Sequence, residues 1–495
     1  MLCTTMHQVL AKASDKFGPA IFSQQGFQGH VETVLEKTGK QGKRKRALTA
    51  PVVLTFVVFM SLYRSEGMKN VLKTLLDMMR QIAPDLSLVA VTPEAICHRR
   101  KILGIDPLAM LFNDLAAEIR PLASFHGLRT SGYDGVRFTV PDTPANVKAF
   151  GRPKSHRGEP AFPQMLAVAL VDTRTRQVRD IAMGRCTDSE RALARQFIQH
   201  LGPQDLVVKD RGCTSVGQFA AFMGCGAHVL GRISASWKPK KLRQLKDGSW
   251  LVQVEGYDDT GSKKSKKAKQ RRKKAEDRRK RKGGRGKART TSTRHLIVLQ
   301  MRMIEYRVNG GEQVRLLTDL LDPDKYPARD LALEYHARWE CELVYDELKT
   351  HLATVTHGTL HTVFRSKTPD GVKQEAYGTF IAYNLIRRLM VEAGETHGIP
   401  PLDISFVDTV KVIKMAAPRL EGTPRRYRAF LIEQLLQDIA DCKNKRPRRH
   451  RWNPREVKIK MSNSRRKRHR GRGKIIDFAA SLHVTPPPSR HRRAA

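Results

Sequence analysis

The chain has no C-x-x-C pair and an odd number of cysteines, seven in 495 residues. That excludes a fully paired disulfide framework and a zinc ribbon, and it predicts a reducing compartment. Acidic side chains are scarce: 48 Asp and Glu stand against 91 Lys and Arg, a formal charge of +43. Solubility needs far less, so the excess points to a partner that is itself a dense line of negative charge, and nucleic acid fits best. Long hydrophobic runs are missing. The most apolar stretch, residues 51–63 (PVVLTFVVFMSLY), is too short to span a bilayer and reads as a buried helix. The N-terminal MLCTTMHQVLAKASDK lacks the charged, apolar and small-residue regions of a signal peptide. A soluble, cytoplasmic protein with no membrane partner is the expectation. No internal repeat is visible.

What is present fills two or three cores. Residues 1–24 read as disordered. Residues 25–120 have helical periodicity and form a candidate DNA-binding domain, with GHVETVLEKTG, the apolar run, GMKNVLKTLLDMMRQIA and DPLAMLFNDLAAEIR as helices. Between the last two lies VTPEAICHRRKILG, where Thr92 suits a helix N-cap and Pro93 the first helical position. His98, Arg99, Arg100 and Lys101 follow along that helix. It is either the recognition helix of a helix-turn-helix-like unit or a basic surface helix in a small bundle.

From Phe125 the period changes. LRTSGYDGVRFTV alternates as a strand, QMLAVALVDTRTRQVRDIAMG as two strands, and TDSERALARQFIQHL as a helix with a capping box from Thr187 to Glu190. QDLVVKDRG is a strand ending on Asp210, TSVGQFAAFMG a helix and HVLGRIS a further strand. Three strands, helix, strand, helix, strand is the order of an α/β, ribonuclease-H-like core. The catalytic domain so predicted spans 121–236 and 316–420. A β-rich insertion, 237–315, interrupts it and carries a basic loop, 263–289, too polar to build a core. Residues 421–495 read as a helix followed by a basic tail, disordered where it does not contact DNA.

The stretch from Ala328 to Leu352 reads as one long helix, without Gly or Pro. On a helical wheel Tyr335, Arg338, Glu342 and Lys349 fall within about 60° of one another. Leu333, Leu343, Val344 and Leu348 take the packing side. A carboxylate between two cations and a phenol is commonly a solvated face of i,i+4 pairs. Two distant aspartates change that reading: Asp134 within the first strand and Asp210 at the end of the fourth, which are neighbours in a ribonuclease-H-like sheet. Three converging carboxylates are what two divalent ions about 3.5–4 Å apart need.

The spacing Tyr335-x2-Arg338-x3-Glu342-x6-Lys349 resembles the Y-(2)-R-(3)-E-(6)-K motif of IS-four-type DDE transposases. YDGVRFTVPDTPANVKAFGRP is similar to that family's first aspartate block and VVKDRG to its second, while FRSKTPDGVKQEAYGTFIAYNLIRRLM and PREVKIKMSNS resemble its C-terminal region. The resemblance implies Mg²⁺-dependent cleavage at transposon ends and strand transfer of the 3′-OH into target DNA. Asp134, Asp210 and Glu342 would bind two Mg²⁺, for which Mn²⁺ can substitute. Tyr335, Arg338, Lys349 and Arg211 would bind DNA phosphates. The implied partner is double-stranded DNA, both inverted-repeat ends and target, held by a homodimer in a synaptic complex; the setting is bacterial cytoplasm, associated with the nucleoid. Where hairpin-forming members carry a stacking Trp, this chain has Val314 and Arg315, leaving Trp237 and Trp250 as candidate replacements. Cys213, after the second aspartate, reads as a packing residue. The rival readings are a transposase-derived DNA-binding protein without catalysis and a ribonuclease-H-like metal-dependent nuclease.

Overall fold

A computed structural model describes residues 26–42, 48–64, 66–82, 92–122, 124–153, 162–258, 295–309, 311–351, 354–356, 359–361, 364–444 and 479–484. The disorder predicted for 1–24, the basic loop 263–289 and most of the basic tail lie outside these residues. The chain divides into two compact units. The first holds Met1–Ser124, Ser131–Asp188 and Trp339–Arg449, and the second Phe125–Thr130, Ser189–Arg338 and His450–Ala495.

The first unit opens with helices α1 (Phe27–Lys37), α2 (Ala50–Leu62), α3 (Met68–Ile82), α4 (Pro93–Leu103) and α5 (Asp106–Ala117), where the periodicity predicts them. Helix α2 is the apolar run and has no polar face; every residue from Val52 to Leu62 is buried. Helix α4 starts as expected, with Pro93 in its first turn and the Thr92 hydroxyl accepting the Ala95 N–H at 3.3 Å. Its basic run needs a correction. Arg100 is only 5% exposed, and its guanidinium donates to Gln374 Oε1 (3.2 Å), Ser366 Oγ (3.0 Å) and Gly371 O (3.1 Å). A buried guanidinium that makes three hydrogen bonds inside the fold is a structural tie and not a base reader. Arg99 is half-buried and donates to Leu48 O at 3.0 Å, whereas His98 and Lys101 are exposed.

Strand β1 (Arg129–Thr139) leads to a short helix the sequence reading did not anticipate, α6 (Pro144–Phe150), capped by Thr143. Strands β2 (Gln164–Asp172) and β3 (Val178–Arg185) follow, and the order β3-β2-β1 is antiparallel throughout. Met165 to Val171 are all fully buried, which is why this strand reads as a continuous apolar run and not an alternating one. The pairing sets Asp134 opposite Ala169. Asp188 closes a turn with Arg185, its carboxylate accepting the Arg185 N–H at 2.8 Å. The predicted capping box therefore fails: Ser189, not Thr187, occupies the N-cap of α7 (Glu190–Ala194), and no side chain caps it.

In the second unit β4 (Asp205–Lys209), helix α8 (Val216–Gly224) and β5 (His228–Arg232) form a parallel βαβ unit. Strands β6 (Lys240–Gln244), β7 (Trp250–Tyr257), β8 (Leu296–Val308) and β9 (Val314–Thr318) extend the same sheet, in the order β4-β5-β9-β8-β7-β6. The predicted β-rich insertion is thus continuous with β5 through β9. A Cβ on Gly256 would come within 2.6 Å of Val216, so the absent side chain lets β7 press onto α8. Helix α9 (Ala328–His336) packs its Leu331 and Ala332 into a core with Leu206, Leu230, Ile304 and Leu316.

The single helix predicted from Ala328 to Leu352 is broken. After α9, Ala337 N–H and Arg338 N–H donate to Glu334 O (3.0 Å) and Tyr335 O (3.2 Å), the tighter i→i−3 pattern that ends a helix. Helix α10 (Trp339–Asp346) then passes into a π turn, Glu347–His351. Along this second segment Glu340 and Glu347 join a buried ion-pair cluster with Arg176 and Arg387. Periodicity carries no trace of such a partner. Of the four residues assigned to the packing side, Val344 and Leu348 are fully buried and Leu333 and Leu343 half-buried, while Tyr335 and Arg338 of the opposite face are buried as well.

The first unit closes with α11 (Pro369–His397), α12 (Phe406–Gly422) and α13 (Arg425–Asp441). Helix α11 runs through the core and meets α2 at Gly378, where a Cβ would lie 2.7 Å from the Val57 carbonyl oxygen. Backbone cannot yield as a side chain does. Gly378→Ala is expected to lower unfolding free energy by about 1–3 kcal/mol, seen as a lower Tm. Gly29→Ala, at an exposed position of α1 with nothing within 4 Å of the new Cβ, is expected to leave Tm unchanged or raise it. Strand β10 (Leu482–Val484) corrects the reading of the tail: it pairs antiparallel with β8, Leu482 opposite Val308.

Candidate active site

Asp134 sits in the middle of β1, half-buried, where a turn or cap role is ruled out by the unbroken ladder to β2. Its Oδ1 accepts the Gly135 N–H at 2.8 Å. The Tyr345 hydroxyl donates to Asp134 O and accepts the Ala169 N–H at 3.1 Å, so a single phenol spans one β1–β2 pair. Tyr345 lies one helical turn from Glu342 on one side and from Lys349 on the other. It therefore fastens the segment carrying both to the strand carrying Asp134. Lys349 is half-buried; burial lowers its pKa, neighbouring Arg137 lowers it further, and Asp134 works the other way. Glu342 is half-buried beside Cys341, which is completely buried.

Asp210 emerges at the end of β4, immediately after Lys209. That lysine is fully buried, donates to Gln218 O at 3.2 Å and lies 3.7 Å from the Phe222 ring centroid. Burial lowers its pKa to about 7. After Asp210 the chain turns at once: Cys213 N–H and Thr214 Oγ1 both donate to Asp210 O, at 3.0 and 2.8 Å. Cys213 is buried, a packing residue as expected, and Arg211 is exposed. Arg338, 8% exposed in its side chain, stands 3.9 Å from Asp210 Oδ1, a loose ion pair. Tyr335 is buried nearby; desolvation pushes its pKa up to about 12 against the opposing charges of Arg338 and Arg232.

The structure thus brings Asp134 together with Lys349 in the first unit, and Asp210 with Arg338 and Tyr335 in the second. Sequence reasoning missed Arg232. Lys209 pairs with Gly231 in the parallel register, so Arg232 is carried at the end of β5 beside the end of β4. Its guanidinium pairs with Glu312 at 3.3 Å. A parallel βαβ reading of 205–232 was the available signal. Tyr345 was also missed, although it lies inside the quoted helix. Arg315, at the position expected for a stacking Trp, donates to the Trp237 carbonyl at 3.2 Å and so fixes the backbone at one candidate replacement.

Among the described residues, no three His, Cys, Asp or Glu side chains already stand as a group able to hold a metal ion. The donors at issue fit divalent ions in kind: carboxylate oxygens, each with about four lone-pair directions. Asp134 Oδ1 spends one of these on Gly135. Among the described residues no helix is long and apolar enough to cross a membrane.

Comparison with known proteins identifies the family. Residues 23–113 match the insertion element 4 transposase N-terminal family, and residues 129–385 match the transposase DDE domain. The DDE match identifies the α/β core as ribonuclease-H-like. The chain is 30% identical over 441 residues to the transposase InsG for insertion sequence element IS4 of Escherichia coli (strain K12), covering 86% of this chain and 89% of that one. A solved piggyBac transposase synaptic complex with hairpin DNA aligns at 10% identity, over 82% of this chain and 80% of that one; its TM-score of 0.38 is too low to carry an argument. A family domain across residues 129–385 and a relative matched along most of both chains lead to one conclusion: the chain belongs to the IS4 family of DDE transposases.

Proposed function

We propose that this transposase cuts DNA at the inverted-repeat ends of its element and joins the freed 3′-OH to target DNA, with Asp134, Asp210 and Glu342 holding two Mg²⁺. Membership of the family makes it a DNA-binding enzyme of DNA transposition whose domain type uses divalent metal ions. What supports the finer reading is that each aspartate is met by one half of the signature motif. Asp134 shares its strand pair with the Tyr345 tether of the Glu342–Lys349 segment, and Asp210 faces Arg338 and Tyr335.

Bound divalent ions would supply activation of the attacking oxygen and neutralisation of the leaving one. The chain's own groups do the rest. Arg338 and Lys349 hold phosphate oxygens, and the Tyr335 phenol, protonated at neutral pH like any phenol, donates a hydrogen bond to one. Arg211, exposed after Asp210, is placed for a flanking phosphate. His98 and Lys101 on the exposed side of α4 contribute to end recognition. The large positive charge supplies sequence-independent affinity that falls steeply with salt. A homodimer pairs the two ends, and the enzyme works in the cytoplasm, on the nucleoid.

The test is a supercoiled donor plasmid carrying the element's own ends, incubated with purified protein and Mg²⁺. Excised element with joined products is the expected result. Tight end binding with no nicking in Mg²⁺ or Mn²⁺ would favour the non-catalytic DNA binder.

A further inference from the structure

The buried ion-pair cluster beside the π turn is unlike anything the reaction chemistry requires. Arg176 sits in the turn after β2 with φ of 58°, a left-handed conformation, and is 7% exposed. Its guanidinium donates to Glu340 Oε2 from Nε (2.6 Å) and to Glu347 Oε1 from Nη1 (2.7 Å). Glu347 is bound on its other oxygen by Arg387 and by the Tyr383 hydroxyl at 2.8 Å. Arg387 is fully buried, with Phe406 beneath it at 5.2 Å. Two guanidinium and two carboxylate groups are thus sealed together at the root of the π turn.

We propose that Glu347 and Arg176 are positioning residues, whose buried cluster fixes the π turn so that Glu342 and Lys349 are presented in one orientation. The inference rests on the reading of Glu342 as a metal-binding carboxylate and Lys349 as a phosphate ligand. The cluster draws on three separate parts of the first unit: the β2–β3 turn, α10 with its π turn, and α11. Two residues along a helix amount to about 200°, so Glu340 and Glu347 lie on a different face from Glu342 and Lys349 and their bonds restrain the rotation of the helix about its axis. Apolar residues of equal volume would hold these elements together at least as well, because desolvating four charges largely cancels their attraction. What apolar packing does not supply is directional bonding, and π turns gather at sites where a side chain has to be aimed. Tyr345 adds the same restraint from the strand side through Asp134 O and Ala169 N.

The experiment compares three proteins with wild type. One is the apolar replacement Arg176→Met/Glu340→Leu/Glu347→Leu/Arg387→Met, one is Tyr383→Phe, and one is Glu342→Gln. Tm, end binding by mobility shift, Mn²⁺ uptake by calorimetry and the Mg²⁺ dependence of cleavage are measured on each. The apolar replacement is expected to keep Tm and end binding while weakening Mn²⁺ uptake, and raising the Mg²⁺ needed for half-maximal cleavage, by about tenfold or more. Tyr383→Phe, which removes one bond and no charge, is expected to shift both in the same direction by a smaller factor and decides the matter if the replacement does not fold. Wild-type Mn²⁺ uptake and Mg²⁺ dependence in a folded apolar replacement, or in Tyr383→Phe when that alone folds, overturn the proposal. Glu342→Gln separates the two levels: if it keeps wild-type metal uptake and cleavage, the site reading itself falls, and if it loses both while the cluster variants do not, only the positioning role falls.

Discussion

Glu342→Gln is expected to reduce cleavage at a labelled transposon end by ~10³-fold or more under single-turnover conditions, the scale seen when a catalytic group is removed. The amide keeps the size of the carboxylate at this half-buried position, so the change is one of charge and not of volume. What is lost is a full negative charge and a hard anionic oxygen, which a divalent ion needs and a neutral amide replaces poorly. End binding, carried by cations elsewhere, should remain. Cleavage within tenfold of wild type would remove Glu342 from the reaction.

The second large effect concerns the second unit's folding. Arg302 is completely buried in β8, donating to Ser249 Oγ (2.8 Å), Tyr326 O (2.7 Å) and the Asp247 carboxylate. Asp247 also accepts the Ala328 N–H at 3.0 Å, so it ties β8 to the start of α9. Asp247→Ala leaves the buried guanidinium its neutral acceptors but takes away its carboxylate, and ~3–5 kcal/mol of stability should be lost, measured by urea unfolding at neutral pH. The pH dependence has a definite sign. Burial alone would raise the Asp247 carboxyl, but hydrogen bonds from Ser249 and the charge of Arg302 outweigh it and hold the pKa below the ordinary value. A carboxyl depressed in the folded state contributes stability that is present above its unfolded pKa of about 3.9. That contribution disappears as pH falls through the folded value. The gap between wild type and Asp247→Ala should therefore be constant from neutral pH down to about 4 and narrow below it.

Much of this was legible in the residues because the signals are local. Period-two alternation marked β1, and a flanked apolar run marked β2; the 3.6-residue pattern marked α1 to α5. The aspartate blocks and the Tyr335–Lys349 spacing marked the family. The failures share a physical cause, namely partners far away along the chain. Arg176 and Glu340 are 164 positions apart, and nothing in the local pattern announces that this glutamate is buried in an ion pair. Arg100 looked like a surface cation until Gln374 and Gly371 enclosed it. Arg232 became visible only through a parallel strand register, which no turn motif announces. Thr187–Glu190 had the composition of a capping box, and the Arg185–Asp188 turn claimed its neighbour first.

Strand β10 has a practical consequence for anyone trimming the basic tail to ease purification. It pairs with Tyr306 to Val308, beyond Met303 where the pairing of β8 with β7 ends, and it places Leu482 in the core beside Leu331. A chain cut before residue 482 would bare that stretch of β8 backbone next to an apolar hole. Unpaired strand edges of this kind recruit other molecules, so such a shortened protein is set to clump where the longer one stays dispersed.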